Sequence, residues 1–266
     1  MTTSIAVASG KGGVGKTSIA VNLALTLSRL GSRVALLDAD FGLANSHILL
    51  GLNPKKTVHD ILIGGAKLDQ ALTLGPLGLK FISGGSGLTE VLNLEKSARY
   101  ELIRTLDELN DKVDILVVDV PAGASDSAIT FASAVDSLLV VLVGEPTSFM
   151  DAYTFIKAAN LEAGVSNFSI VVNMVDSEKQ AASHFNKFQA IVSRFLSVNL
   201  HYNGFIPFSQ RLRRSVVVRR PIMLAKDDSI EYNCFLGLAK GVMKAPKNEP
   251  KGVSFFSHQP NDVKDH

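Results

Sequence analysis

Residues 9–18 read SGKGGVGKTS, four glycines and two lysines in ten positions. Gly10, Gly15, Lys16 and Thr17 stand at the G-x-x-x-x-G-K-[ST] spacing of a phosphate-binding loop. In such a loop the glycines let several backbone N–H groups point into one concavity, and the positive end of the following helix adds to the field there. Gly10, Lys11, Gly12, Gly13, Val14, Gly15, Lys16, Thr17 and Ser18 are therefore expected around the phosphates of a nucleotide, with Lys16 on phosphate oxygens and Thr17 on Mg²⁺. A ligand-free glycine turn can match the spacing by chance. The apolar run "SIAVA" before it and the helical pattern after it favour the phosphate reading. Lys11 has no place in this scheme and is an extra cation at the loop's start.

Carboxylates stand where a metal would need them. Asp119 ends "DILVVD", the position of an acid that holds Mg²⁺, usually through water. "DAD" at 38–40 ends another β-rich run; Asp38 suits either a metal-side role or a helix cap, and Asp40 suits orienting an attacking water. In "PAGASD" (121–126), Gly123 is expected to bring a backbone N–H toward a γ-phosphate. "NMVD" at 173–176 matches a guanine-reading pattern except that Met174 stands where lysine belongs. Asn173 then serves either purine, and adenine is favoured, so the nucleotide is ATP. Pro207 and Phe208 offer an apolar wall for the base or, equally, a plain core edge.

These residues sit at the ends of strand candidates: 4–9, 33–40, 79–83, 113–120, 137–143, 168–174 and 202–207. Helical periods occupy 16–31, 97–111, 126–134, 149–163, 179–198 and 229–244. Strands apolar on both faces, alternating with helices, predict an α/β fold: a mostly parallel sheet with helices on both sides. Its ligands bind beyond the strands' carboxyl ends. One domain, 1–245, is expected, followed by a loose Pro- and Lys-rich tail, 246–266.

Composition narrows the classes. The 266 residues are 46% apolar and 20% charged with net charge +2, which gives no general electrostatic case for nucleic acid. The single cysteine, Cys234, excludes a disulfide framework and a thiolate cluster built by one chain, and agrees with a cytoplasmic location. The first residues lack a signal-peptide layout, and the most apolar stretch, 137–143, is far short of the ~20 residues of a membrane span.

"KGGVGKT" resembles the deviant P-loop of the MinD/ParA group of ATPases. "LLDADFGLANSHILLGL" (36–52), "VVDVPAG" (117–123), "DAYTFIK" (151–157) and "IVVNMV" (170–175) look like successive blocks of its flagellar-number branch, the FlhG/FleN type. The similarity runs over about residues 4–225. It implies a slow, Mg²⁺-dependent ATPase that forms a homodimer when ATP is bound. Lys11 would then reach across the interface to the partner's phosphates, acting with Lys16 and Asp40 in catalysis. Asn45 and Glu145 match positions that contact nucleotide or partner. The implied partners are the flagellar GTPase FlhF, a flagellar transcription activator or C-ring proteins; the implied location is cytoplasmic or peripheral, at the cell membrane's inner face or the pole.

The group suggests other outputs as well. These are ParA-type DNA partition, MinD-type division-site positioning and, more distantly, a ligase of the dethiobiotin-synthetase type. "RLRRSVVVRR" (211–220) carries five arginines that suit phosphates, lipid headgroups or an acidic protein, but without interleaved aromatics DNA is disfavoured. "GVSFF" (252–256) is too short for a good membrane-inserting helix, so membrane contact is expected to be weak. Asp151 is expected as an acid at the start of its helix. Iron–sulfur roles are disfavoured by the lone cysteine.

Overall fold

The computed structural model describes residues 2–41, 45–85, 95–225, 227–249 and 251–256. Its strands are β1 (Thr3–Ala8), β2 (Val34–Asp38), β3 (Leu72–Leu74), β4 (Lys80–Ile82), β5 (Ile115–Asp119), β6 (Ser137–Val143), β7 (Asn167–Val175) and β8 (Asn199–Pro207). They form one eight-stranded sheet of order β3-β4-β2-β5-β1-β6-β7-β8, every pairing parallel except β3 on β4. All of β5 and β6 is buried, which explains why their sequences are unbroken apolar runs rather than alternating ones.

The strand period of two still sorts the side chains between two cores. Ile5 and Val7 of β1 join a cluster with Ile19 and Leu23 of α1 (Lys16–Arg29) and Phe235 and Leu238 of α10 (Ile230–Lys244). Ala6 and Ala8 face the other cluster, built on α5 (Lys96–Thr105), α6 (Asp126–Ser133), α7 (Pro146–Ala163) and α8 (Glu178–Val192). Between β2 and β4 run three short helices: α2 (Ser46–Leu50), α3 (Val58–Leu62) and α4 (Leu68–Ala71). A further helix, α9 (Gln210–Val217), follows β8.

Departures from the sequence reading have local causes. The short helices and β3 are too brief to show a period. The helix expected over 179–198 stops at Val192, because Asn199 already pairs with Asn167 in β8. α7 starts at Pro146, whose fixed φ suits a first helical position, so Asp151 lies beyond the first turn and not at the start.

The expected loose tail is corrected as far as it is described. The Asn248 side chain accepts N–H bonds from Ser166 (3.2 Å) and Asn167 (3.0 Å) and donates to the Asn167 carbonyl (2.9 Å). These bonds satisfy backbone groups where β7 begins. Phe255 is 4% exposed, and its N–H donates to the Ala134 carbonyl at 2.9 Å. Phe255 of "GVSFF" is thus in the core, with the partly buried Val253 and Phe256 packed against it. Residues 257–266 lie outside the described residues. Phe255→Ala is expected to cost about 3 kcal/mol and Asn248→Ala about 1–2 kcal/mol in urea unfolding. A chain ending at 245 with an unchanged midpoint would show that the strap contributes nothing.

Candidate functional site

β1 lies between β5 and β6, where the connections from the strands diverge to opposite sides and open a crevice at the carboxyl ends. The loop of residues 9–15 leaves β1 into that crevice. Gly15 has φ +85° as the residue before α1, a left-handed conformation, and a β-carbon there would come 2.5 Å from the Asn173 amide nitrogen. Gly10 lies so close to the backbone of Asp151 and Ala152 that a β-carbon would overlap it. The Asn173 amide donates to the Val14 carbonyl at 2.7 Å, so β7 braces the loop. Gly12 and Gly13 are exposed at its rim, and Val14 anchors it in the core at 2% exposure.

Below the loop is a dry cluster of charge. Lys16 Nζ is 2.5 Å from Asp119 Oδ1, and both side chains are buried. Asp38 is fully buried and is the register partner of Asp119 across β2 and β5. The Ser46 N–H donates to Asp38 Oδ2 at 2.9 Å, and its hydroxyl donates to Asp119 Oδ2 at 3.2 Å. The half-buried Asp40 directs its N–H at Asp38 Oδ1, 3.2 Å away. Burial first, and the Asp119 charge second, push the Asp38 carboxyl up to about 7; Ser46, Lys16 and Asp40 pull it down less. Two buried carboxylates with one ammonium between them are short of positive charge. That deficit fits a divalent cation, and an ammonium so placed at the start of α1 fits a phosphate. Thr17, Asp38 and Asp119 would hold the metal, and Lys16 with the loop N–H groups would hold the phosphates. Among the described residues no three His, Cys, Asp or Glu side chains form a metal cage. Mg²⁺ bound by few protein ligands, with phosphates and waters completing its shell, needs none.

The remaining expected residues lie around this cluster. Lys11 Nζ is 2.8 Å from Glu145 Oε2 and 3.2 Å from Thr147 Oγ1. Gly123 does not present a free donor, because its N–H is bonded to the Ser9 carbonyl at 2.9 Å, tying the loop after β5 to the phosphate loop. Asn45 is exposed directly before α2, and Gly42, Leu43 and Ala44 of its block lie outside the described residues.

A cavity of about 340 Å³ continues from the loop, lined by Gly15, Ser18, Asn173, Pro207, Phe208 and Arg213 among others. Met174, at φ +59° beside a register shift of β7, lines both this cavity and a neighbouring one of about 330 Å³ that holds Lys11, Gly13 and Glu145. Such an irregularity re-aims a side chain, here the Met174 thioether between the two cavities. The sequence reading missed Ser46, for which no motif gives a signal. It also missed helix α9, although Leu212 and Val216 stand four apart. Two arginines of α9 have partners: Arg211 is bonded to Asp227, and the Arg213 guanidinium lies 6.0 Å from the centre of the half-exposed Phe208 ring. Cys234 is half-buried and its thiol is pushed up to about 11, chiefly by burial, an environment opposed to a thiolate ligand.

Known proteins match this arrangement. A ParA family model, described as NUBPL iron-transfer P-loop NTPase, matches residues 1–243. The antiactivator FleN of Pseudomonas aeruginosa is 41% identical over 254 residues, 95% of this chain and 91% of FleN. The flagellum site-determining protein YlxH of Helicobacter pylori is 34% identical over 263 residues, 95% of this chain and 87% of YlxH. Among solved structures, the septum site-determining protein MinD of Pyrococcus horikoshii, complexed with Mg-ADP, shares the fold with a TM-score of 0.76 at 24% identity. That match covers 92% of this chain and 97% of MinD.

Two outcomes test the charge cluster. Lys16→Ala should destabilise the nucleotide-free protein by about 3 kcal/mol, and adding Asp119→Asn should recover part of that loss in a double-mutant cycle; strict additivity would contradict the buried pair. Because the Asp38 pKa is raised on folding, its contribution is fully present below about pH 4 and is lost as pH rises toward 7. Calorimetry without nucleotide should therefore show higher stability at pH 5.5 than at pH 8, a difference that Asp38→Asn should reduce.

Proposed function

The chain belongs to the ParA family of P-loop ATPases, and from that premise we propose that it is an ATP-dependent dimerising switch that regulates flagellar number or placement. It binds ATP with Mg²⁺ and hydrolyses it. The 41% identity to the antiactivator FleN across 95% of the chain carries the flagellar reading, and the flagellum site-determining relative YlxH supports it. Relatives named for septum-site determination are similar at lower identity, for instance 30% for the MinD of Synechocystis. The iron-transfer description of the family model finds no counterpart in a chain with one cysteine.

The residues divide the chemistry among themselves. Lys16 would leave Asp119 for the phosphate oxygens, placing its charge where negative charge grows during transfer. Asp38 and Asp119 would hold the Mg²⁺ side of the site, the cation supplying the positive charge they lack. Asp40 would orient the water whose oxygen bonds to the γ-phosphorus as the β–γ bridge breaks, giving ADP and phosphate. Pro207, Phe208 and Met174 would enclose the adenine, with Asn173 at its edge.

Lys11 supplies the switch. Its ion pair with Glu145 is at the surface, with 29% and 64% of the two side chains exposed. Exposed pairs contribute at most about 1 kcal/mol, so the lysine is held but not locked. Two copies facing each other with ATP in their crevices would bring triphosphates into a drying interface, where a cation from the opposite copy is worth far more. Lys11 would then exchange Glu145 for the partner's phosphates, with Asn45 at the same face, and assembly would report the nucleotide. FlhF, a flagellar transcription activator or C-ring proteins would read the assembled form.

Light scattering after size-exclusion chromatography should show monomers with ADP and dimers with a non-hydrolysable ATP analogue; equal mass in both would overturn the switch. Lys11→Ala should bind ATP within about threefold of wild type but remain monomeric. Asp40→Ala should accumulate as an ATP-bound dimer, and rapid turnover by that variant would remove Asp40 from its role. ATP-dependent binding to liposomes or to random duplex DNA would move the output to a MinD-type or ParA-type one.

A further inference from the structure

The segment from Asp40 to Ser46 carries Asp40 at one end and Asn45 near the other, and both ends stand on one carboxylate. The Asp40 N–H meets Asp38 Oδ1 at 3.2 Å and the Ser46 N–H meets Asp38 Oδ2 at 2.9 Å. Ser46 makes a second bond: its hydroxyl donates to Asp119 Oδ2 at 3.2 Å, while Lys16 holds Asp119 Oδ1 at 2.5 Å. Ser46, Asp38 and Asp119 are fully buried and Lys16 nearly so, so water does not compete for these bonds. An unbroken chain of contacts thus runs from Lys16 through Asp119 and Ser46 to the start of α2.

We propose that Ser46 is the positioning residue that couples the phosphate site to the amino end of α2, where Asn45 stands. This rests on the nucleotide-site reading above. Asp119 is shared between a cation and a hydroxyl, and Ser46 bridges two neighbouring carboxylates. Once Lys16 is drawn to phosphate oxygens, Asp119 loses its ion-pair partner and its hydrogen bonds are redistributed. Its bond to Ser46 then changes, and the amino end of α2 is repositioned with Asn45 attached. A hydrogen bond to a charged, buried group is strong enough to bias a short segment between two positions. The Ser46 N–H belongs to the backbone and survives substitution, so the hydroxyl alone carries the coupling. Alanine at this position would keep the foot on Asp38 and cut the link to Asp119.

Hydrogen exchange followed by mass spectrometry on the full chain tests this, comparing nucleotide-free protein with protein saturated by Mg²⁺ and a non-hydrolysable ATP analogue. Wild type should show a change in exchange rate over residues 45–50 between the two states. In Ser46→Ala the nucleotide-free rate should rise about tenfold and the difference between states should vanish, with analogue affinity measured by calorimetry within about threefold of wild type. Ser46→Thr, which keeps the hydroxyl, should restore the difference. Should the alanine variant fail to fold, Ser46→Cys, with its weak donor, carries the same comparison. Tight analogue binding with a wild-type response in Ser46→Ala overturns the coupling and leaves the nucleotide site intact. No analogue binding by wild type overturns both.

Discussion

The site is organised around a shortage of positive charge in a place water does not reach. Asp38 and Asp119 end neighbouring parallel strands, so the register of β2 on β5 forces two carboxylates side by side at full burial. Lys16 alone cannot neutralise both, and the protein compensates with the Ser46 donors and the Asp40 N–H. A buried arrangement of this kind is poor for stability in its own right. It is well suited to accepting a metal–triphosphate, because the ligand brings the cation that the carboxylates need and the anion that Lys16 needs. The sheet supplies the rigidity: β2 and β5 are paired in parallel and buried along their whole length, which holds the two charges together.

Much of this was legible in the amino-acid sequence because strong local rules applied. The glycine and lysine spacing of residues 10–17 is tied to one backbone geometry, and the apolar runs of β1, β5 and β6 admit little but a covered parallel sheet. Legibility failed where structure depends on contacts far apart in the chain. Nothing near Ser46 announces that it will meet Asp119, 73 residues later. The commitment of the Gly123 N–H to Ser9 likewise arises from two loops meeting. The tail misled for a different reason: its Pro, Lys and Asp content suggests solvent, yet Asn248 is the kind of side chain that mimics a strand's missing partner. The different neighbours of Arg211 and Arg213, Asp227 and Phe208, likewise follow from the helix α9, which was not recognised in the sequence.

The two lysines of the loop are held in contrasting ways. Lys16 is deep, dry and paired at 2.5 Å, whereas Lys11 is at the surface on an exposed glutamate. The difference in burial sets how readily each can change partner. Met174 stands between the base-side cavity and the cavity that contains Lys11. Its flexible, polarizable side chain is the shared wall of both.

The strap formed by Asn248, Phe255 and Phe256 is fastened where β6 and β7 begin, at the amino ends of the strands, while the crevice opens at their carboxyl ends. Whatever follows Phe256 sets out from the pole of the sheet opposite the phosphate loop. An affinity tag or fluorophore attached there starts a full strand-length from the mouth of the crevice.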